Sequence, residues 1–532
     1  MQISPLLPIK RTCELISENS PASMPTQPAH FRSPFSDLPF DILAPILAQL
    51  TDRRDWHTCT FVSKAFCRAA TPLLYRTLDS RIISKTLIHH PSTTLLRRPH
   101  LANYVRHITE TGTIHRAMHS RYPNITQDTL AAMALCKNLR SITWVDDSSA
   151  TDDTILAFID VVRRLPLREL TIRTHNDLGE SVWSQINTLI GLQKVSIWCM
   201  EGPPRVLQGW SAALGATLTH LELGRCAGVP STVVITVISQ LPLLKDLRLK
   251  GAPATSISTI LTYLPALESL DTEYLVSGSA SYYTPRRLYR PVGNGSDDSD
   301  DSDLYEEEEV PFPTLRQLTV RTSSMDISGP QKLWMWIREL VPRPGLETFQ
   351  LHAFTFNMGY TGIPRMFILD LADKHGGTLK NFIAGEAHLT LKDIECLCNK
   401  FPKLETLNCS VASSDVASIT EAISSAQNLH TLKLQVQWIP TEDTQMTSIY
   451  NQNSRYQLHD ANSTDADSRF TLEDAKNMMR RSEDSKLRTI VIGHVKYTGR
   501  WEFRESESEI GGKTSTIELV VSADLAEDRW KR

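Results

Sequence analysis

Residues 218–249 read LTHLELGRCAGVPSTVVITVISQLPLLKDLRL, one complete structural unit and the start of the next. Leu218, Leu221 and Leu223 are spaced as in a strand with one apolar face. After the turn GRCAGVP, Val233, Val234, Val237, Ile238 and Leu241 recur at the spacing of one helix face. Pro242 then ends the helix, because proline lacks the N–H and clashes with the preceding turn; Pro166, Pro265 and Pro402 stand in equivalent places. The strand pattern, a leucine with apolar residues three and usually five positions on, returns along the chain. It starts at Leu139 (LRSITW), Leu167 (LRELTI), Leu192 (LQKVSI), Leu218, Leu244, Leu267 (LESLDT), Leu315 (LRQLTV), Leu346 (LETFQL), Leu379 (LKNFIA), Leu404 (LETLNC), Leu429 (LHTLKL) and Leu487 (LRTIVI). Neither half of such a unit can bury its apolar face alone, so the units must stack. The expected fold class is α/β: a curved solenoid over residues 105–520, with a parallel sheet on its concave side and helices outside.

Ahead of the repeats lies a different pattern, SDLPFDILAPILAQLTDRRDWHTCTFVSKAFCRAATPLLYRTL, at residues 36–78. Leu38, Ile42, Leu43, Ile46, Leu47 and Leu50 fall on one broad helix face. Pro39 suits a first turn, where its missing N–H costs nothing; Pro45 is expected to bend or divide the helix. A second apolar series runs through Cys59, Val62, Phe66, Ala69 and Ala70, and Leu73, Leu74 and Tyr75 close the module.

Leu38-Pro39, Ile42-Leu43, Ile46 and Leu50, followed by Val62-Ser63, Phe66 and Leu74-Tyr75, resemble the two halves of the F-box pattern. The segment 33–79 therefore looks like a small three-helix F-box. With Cys226 where such units carry Asn or Cys, the repeats resemble the leucine-rich repeats of F-box proteins, in particular the irregular fungal type. The resemblance implies a substrate-recognition subunit of an SCF-type (Skp–cullin–F-box) E3 ubiquitin ligase. Its implied partners are a Skp-type adaptor, through it a cullin, and a protein substrate. The adaptor-binding residues it implies are Leu38, Pro39, Ile42, Leu43, Ile46, Leu47, Val62 and Phe66. Core and interface share one periodicity here, so the sequence does not divide these residues between the two. The alternative is a non-ligase interaction scaffold with the same fold.

Composition narrows the remaining classes. The 532 residues carry a formal net charge of −4, with 22% charged residues, so no global basic field exists to hold nucleic acid or an anionic membrane. No apolar run approaches the roughly 20 residues of a membrane span. The N-terminus has no signal-peptide layout, and nine cysteines without framework spacing indicate reduced thiols. Together these place the protein in cytoplasm or nucleus. Cys396, Cys398, Cys409 and His388 lack the knuckle spacing of a zinc site, so no metal or cofactor is expected. No catalytic motif is present, and no enzymatic activity is expected.

The rest of the chain divides by composition. Residues 1–32 form a Pro/Ser-rich leader, 80–104 a connection carrying His89-His90 and Arg97-Arg98, and 521–532 a tail. Residues 293–309 are an acidic, Ser/Gly-rich insertion that reads either as a solvated loop or as an acidic binding segment, and 440–470 are a polar loop. Variable strand positions should form columns on the concave face. Candidate substrate contacts there are Glu222, Arg248, Asp271, Gln350 and Lys433, with Thr171, Ser196 and Thr319 in the same series. Trp198 and Trp438 lie at the rim, either as interface anchors or packed between repeats.

Overall fold

A computed structural model describes residues 40–80, 90–147, 154–202, 204–274, 312–322, 330–353, 362–439, 470–482, 484–507 and 513–525. The leader, Leu38, Pro39, the acidic insertion 293–309 and all but the last residue of the 440–470 loop lie outside these residues. The chain forms two compact units, 1–74 and 75–532.

The first unit has helices α1 (Phe40–Leu47), α2 (Arg53–Cys59) and α3 (Lys64–Leu74). Asp52 caps α2, its Oδ1 accepting from the Arg54 N–H at 2.8 Å. Trp56 Nε1 donates to the Leu47 carbonyl at 2.8 Å and so satisfies an end group of α1. Pro45 does not divide the first helix. It falls in the second turn, where only the bond to the Asp41 carbonyl is forfeited, and the Ala48 N–H to Ala44 carbonyl bond of 3.0 Å carries the helical path past it.

The second unit is a solenoid. Its strands are β1 (Thr77–Asp79), β2 (His107–Thr111), β3 (Ser141–Asp146), β4 (Glu169–Thr174), β5 (Lys194–Cys199), β6 (His220–Leu223), β7 (Asp246–Leu249) and β8 (Ser269–Glu273). They continue as β9 (Gln317–Thr322), β10 (Thr348–Ala353), β11 (Asn381–Leu389), β12 (Thr406–Ser413), β13 (Thr431–Trp438), β14 (Thr489–Ile492), β15 (Val495–Glu507) and β16 (Lys513–Leu525). Among the described residues they make one sheet in strict chain order, parallel through β14 and closed by the antiparallel β15–β16 hairpin.

A single apolar row crosses the sheet, from Leu78, Ile108, Ile142 and Leu170 through Leu221 and Phe349 to Leu432 and Ile490, and all of these are buried. All twelve repeat-opening leucines are buried beside it. Between strands the helices complete the core; Ser231–Ser239 buries Val234, Val237 and Ile238. At each strand entry one carbonyl accepts two N–H groups from the next unit: Thr219 O takes Lys245 N–H at 2.8 Å and Asp246 N–H at 3.1 Å.

The boundaries differ from the sequence expectation. The solenoid begins at residue 75, because β1 pairs with β2 and because Leu78, Leu95, Leu101 and Ala102 enter its core. Residues 90–104 are therefore part of the solenoid rather than a connection. At the other end, β16 runs to Leu525, past the expected start of the tail, since its pairing with β15 continues to Val495–Leu525.

Candidate protein-docking surfaces

The first unit sorts its apolar residues into two sets. Leu43, Leu47, Ala69 and Ala70 are buried against one another, with Leu50, Cys59, Phe66 and Leu73 packed around them. Ile42, Ile46, Phe61 and Val62 point outward and are 46, 50, 66 and 62% exposed. Of the residues expected to contact an adaptor, Leu43 and Leu47 are thus core and Phe66 is half-buried, because they fill the space between α1 and α3. Ile42, Ile46 and Val62 form the free apolar set. Phe61 joins them; it lies in the turn after α2, where no helical periodicity signals it. Exposed large side chains in a module of this size are costly unless a partner covers them.

The open face of the solenoid sheet is polar. Thr171, Ser196, Glu222, Arg248, Asp271, Thr319 and Gln350 are consecutive register partners from β4 to β10. The same row reaches Lys433 through Ile383 and Asn408. Several members hold one another. Ser196 Oγ donates to Glu222 Oε2 at 2.8 Å. Arg321 grips both Asp271 oxygens at 2.8 Å, a bidentate pair that raises the arginine's pKa. Thr319 is buried.

A concavity of about 330 Å³ lies on this face across β4 to β7, lined by Thr171, Ser196, Glu222 and Arg248 and by the row two residues earlier, Glu169, Lys194, His220 and Asp246. The second row follows from the two-residue strand period, and its residues were not singled out from sequence. Burial, with help from Lys194, holds His220 below its ordinary pKa, so its ring is neutral at pH 7. Arg248 donates to both Asp246 oxygens at 3.2 Å. The floor thus offers acceptors and donors of both signs a few ångströms apart, suited to a polar peptide surface.

The rim tryptophans sit against the sheet. The Trp198 ring covers Gly224, where any Cβ would collide with it, and Lys250 Nζ stands 4.1 Å from its centroid. Trp438 is half-buried against the main core. Trp198 therefore packs against the neighbouring unit, and only part of each ring faces solvent.

One edge of the sheet is strongly basic. Arg76, Arg106, Arg140 and Arg168 occupy equivalent positions before β1 to β4. The backbone fixes them there: Arg76 O accepts from Arg106 N–H at 2.9 Å, Arg106 O from Arg140 N–H at 2.8 Å, and Arg140 O from Arg168 N–H at 2.8 Å. Four arginines at successive strand entries, with backbones about 4.8 Å apart per step, make this edge positive and favour an anionic segment. Further along, the same positions alternate in sign and pair, as in Lys245–Glu268 at 3.8 Å and Lys380–Glu347 at 2.8 Å.

Among the described residues, no cysteine belongs to a cluster of three ligand-type side chains. Burial pushes the Cys398 thiol up to about 12 and raises the Cys409 thiol as well, so both stay protonated.

Comparison with known proteins agrees with part of this picture. A family model described as F-box-like matches residues 35–81. No curated protein sequence matches the chain. Among solved structures, the Rad7–Elc1 complex of yeast is similar over 76% of this chain and 89% of that one, at 15% identity and a TM-score of 0.40. The Drosophila Toll–Spätzle complex is similar over 71% of this chain and 52% of that one, at 10% identity and TM-score 0.28. The TLR13–ssRNA13 complex gives 69% and 59%, at 12% identity and TM-score 0.28.

Proposed function

We propose that this chain is the substrate-recognition subunit of an SCF-type E3 ubiquitin ligase, acting in cytoplasm or nucleus. The F-box-like unit docks a Skp-type adaptor, and through it a cullin, by way of Ile42, Ile46, Phe61 and Val62. The solenoid holds the substrate on its open face, around Glu222 and Arg248, and the arginine row favours a substrate with an acidic segment. The chain's role is recognition; ubiquitin transfer belongs to partner subunits.

The observation that carries the reading is the split within the first unit. Among the described residues its core cluster does not include Ile42, Ile46, Phe61 or Val62, which leaves these side chains available to a partner. The F-box-like match over the same segment supports an adaptor as that partner. Affinity capture of the full chain beside a version lacking residues 33–79 tests it. Adaptor and cullin should appear only with the intact chain. Adaptor without cullin would favour the scaffold alternative, and absence of both with a folded bait would overturn the proposal.

A further inference from the structure

Near the start of the solenoid three side chains from separate elements converge. His90 caps α4 (Pro91–Arg97), Glu110 lies on β2, and His115 lies on α5 (Gly112–His119). They are 7, 4 and 2% exposed. Their ligand-type atoms all lie within 4.8 Å of one another. His115 Nε2 is 3.3 Å and His90 Nε2 3.5 Å from the same oxygen, Glu110 Oε2.

Two arrangements could account for such a cluster. In the first, an imidazolium simply shares protons with the carboxylate. Charge-assisted N–H···O bonds run at about 2.7–2.9 Å; the His115 contact, at 3.3 Å, is a long hydrogen bond and the His90 contact is longer still. His90 Nε2 in addition makes no hydrogen bond although it is buried, an expensive omission in a closed site. In the second, a cation sits between the three atoms. Donors held about 2.0–2.1 Å from a tetrahedral zinc ion stand about 3.4 Å from one another, and 3.3 and 3.5 Å bracket that edge.

The outer nitrogens fit the second arrangement. His90 Nδ1 lies 2.8 Å from Ser92 Oγ and 3.4 Å from Thr129 Oγ1, and His115 Nδ1 lies 3.3 Å from Thr126 Oγ1. An Nδ1–H donated outward to a hydroxyl leaves the Nε2 lone pair free for a metal, the usual supporting contact of a zinc-bound histidine. This protonation gives up the bond that the Ser92 N–H donates to His90 Nδ1 at 3.3 Å, by which the ring caps α4. The hydroxyl contact is the shorter, and rotation of the hydroxyl lets it accept.

We propose that His90, Glu110 and His115 bind one divalent cation of the zinc type, with water in the fourth position. All three ligands are buried, so the ion's role is to hold the fold. It ties α4, β2 and α5 together near the end of a stacked array, where a unit lacks one of its two neighbours and stacking supports it least. The expectation of no metal rested on cysteine spacing; of these ligands His90 lies in the segment read as a connection, and Glu110 and His115 lie in the solenoid ahead of its first recognised repeat.

The test uses the full chain without a histidine tag, stripped by chelator and titrated with zinc, then with cobalt as a spectroscopic probe. One equivalent of zinc should bind and raise the melting temperature. Cobalt should give the visible absorption of a tetrahedral nitrogen–oxygen site without sulfur charge-transfer bands. Glu110→Gln and His115→Ala should each lose the equivalent and the thermal shift, and Ser92→Ala should weaken binding about tenfold. Zinc uptake by the wild type no greater than by Glu110→Gln, or no thermal shift, would overturn the proposal. So would a cobalt spectrum with thiolate bands. If the variants do not fold, the wild-type stoichiometry and spectrum decide alone.

Discussion

The two units of this chain spend their apolar residues in opposite ways. The solenoid closes a long continuous core, in a row that runs strand to strand from Leu78 to Ile490, and its exposed apolar residues, such as Ile190, Met366 and Phe503, are scattered along the chain. The F-box-like unit buries a handful, Leu43, Leu47, Ala69 and Ala70, and leaves Ile42, Ile46, Phe61 and Val62 exposed. A large array can close its own core and offer a polar, adaptable surface. A three-helix module of about 35 residues has little core to spare, so apolar residues left outside it point to a partner. On the proposed function, the difference separates an apolar dock for the adaptor from a polar face for the substrate.

That contrast can be broken by damaging each core separately. Trp336 is fully buried and its Nε1 donates to the Ala254 carbonyl at 3.0 Å. Trp336→Ala should cost about 3–5 kcal/mol, read as a lowered melting temperature and increased hydrogen exchange in nearby repeats, while adaptor binding is untouched. Leu43→Ala should cost about 2–5 kcal/mol. With so small a core that is enough to unfold the first unit, abolishing adaptor binding while the solenoid melts as before. If Leu43→Ala also lowered the solenoid transition, the two units would not be independent.

Acid should act on the solenoid through buried histidine. His375 is 1% exposed, its Nδ1 accepting from the Leu346 N–H at 3.4 Å. Burial lowers its pKa, with Lys374 adding to the effect and a backbone hydrogen bond opposing it. The unfolded chain therefore takes up the proton first. The stability this neutral ring contributes is complete above about pH 6.5 and is lost as pH falls below that, by at most about 1.4 kcal/mol per pH unit. Chemical denaturation at several pH values should show the slope, and His375→Leu should reduce it by about one proton. His107 and His220 are shifted the same way by burial and account for part of the remainder.

The smallest stability effect belongs to the polar face. Arg248 is half-exposed and paired with Asp246 at 3.2 Å. Arg248→Ala should change stability by less than about 0.5 kcal/mol but weaken capture of whatever the open face holds. A large drop in melting temperature would make this residue structural instead.

The repeat leucines make the solenoid legible, since each opens a strand and each is buried. The strand period likewise brings the column from Thr171 to Gln350 into one register row. The first two strands escape notice because Val105 stands where later units carry leucine and β1 is only three residues long. Ile42 and Leu43 are neighbours on a helix and differ by about 100° in direction; only packing against α3 decides that one is covered and the other free. His90, Glu110 and His115 meet through the fold of three elements, and no spacing announces them. For Trp198 the sequence leaves anchor and packing both open, and its ring over Gly224 and under Lys250 favours packing.

The most direct test of the division between apolar dock and polar face is calorimetric titration of a recombinant Skp-type adaptor into the wild-type chain and into Ile42→Glu/Ile46→Glu. The wild type should bind one equivalent. The double variant should bind at least about a hundredfold more weakly, the loss of two buried anchors, with unchanged circular dichroism and melting temperature. Equal affinity in a folded double variant would contradict the account.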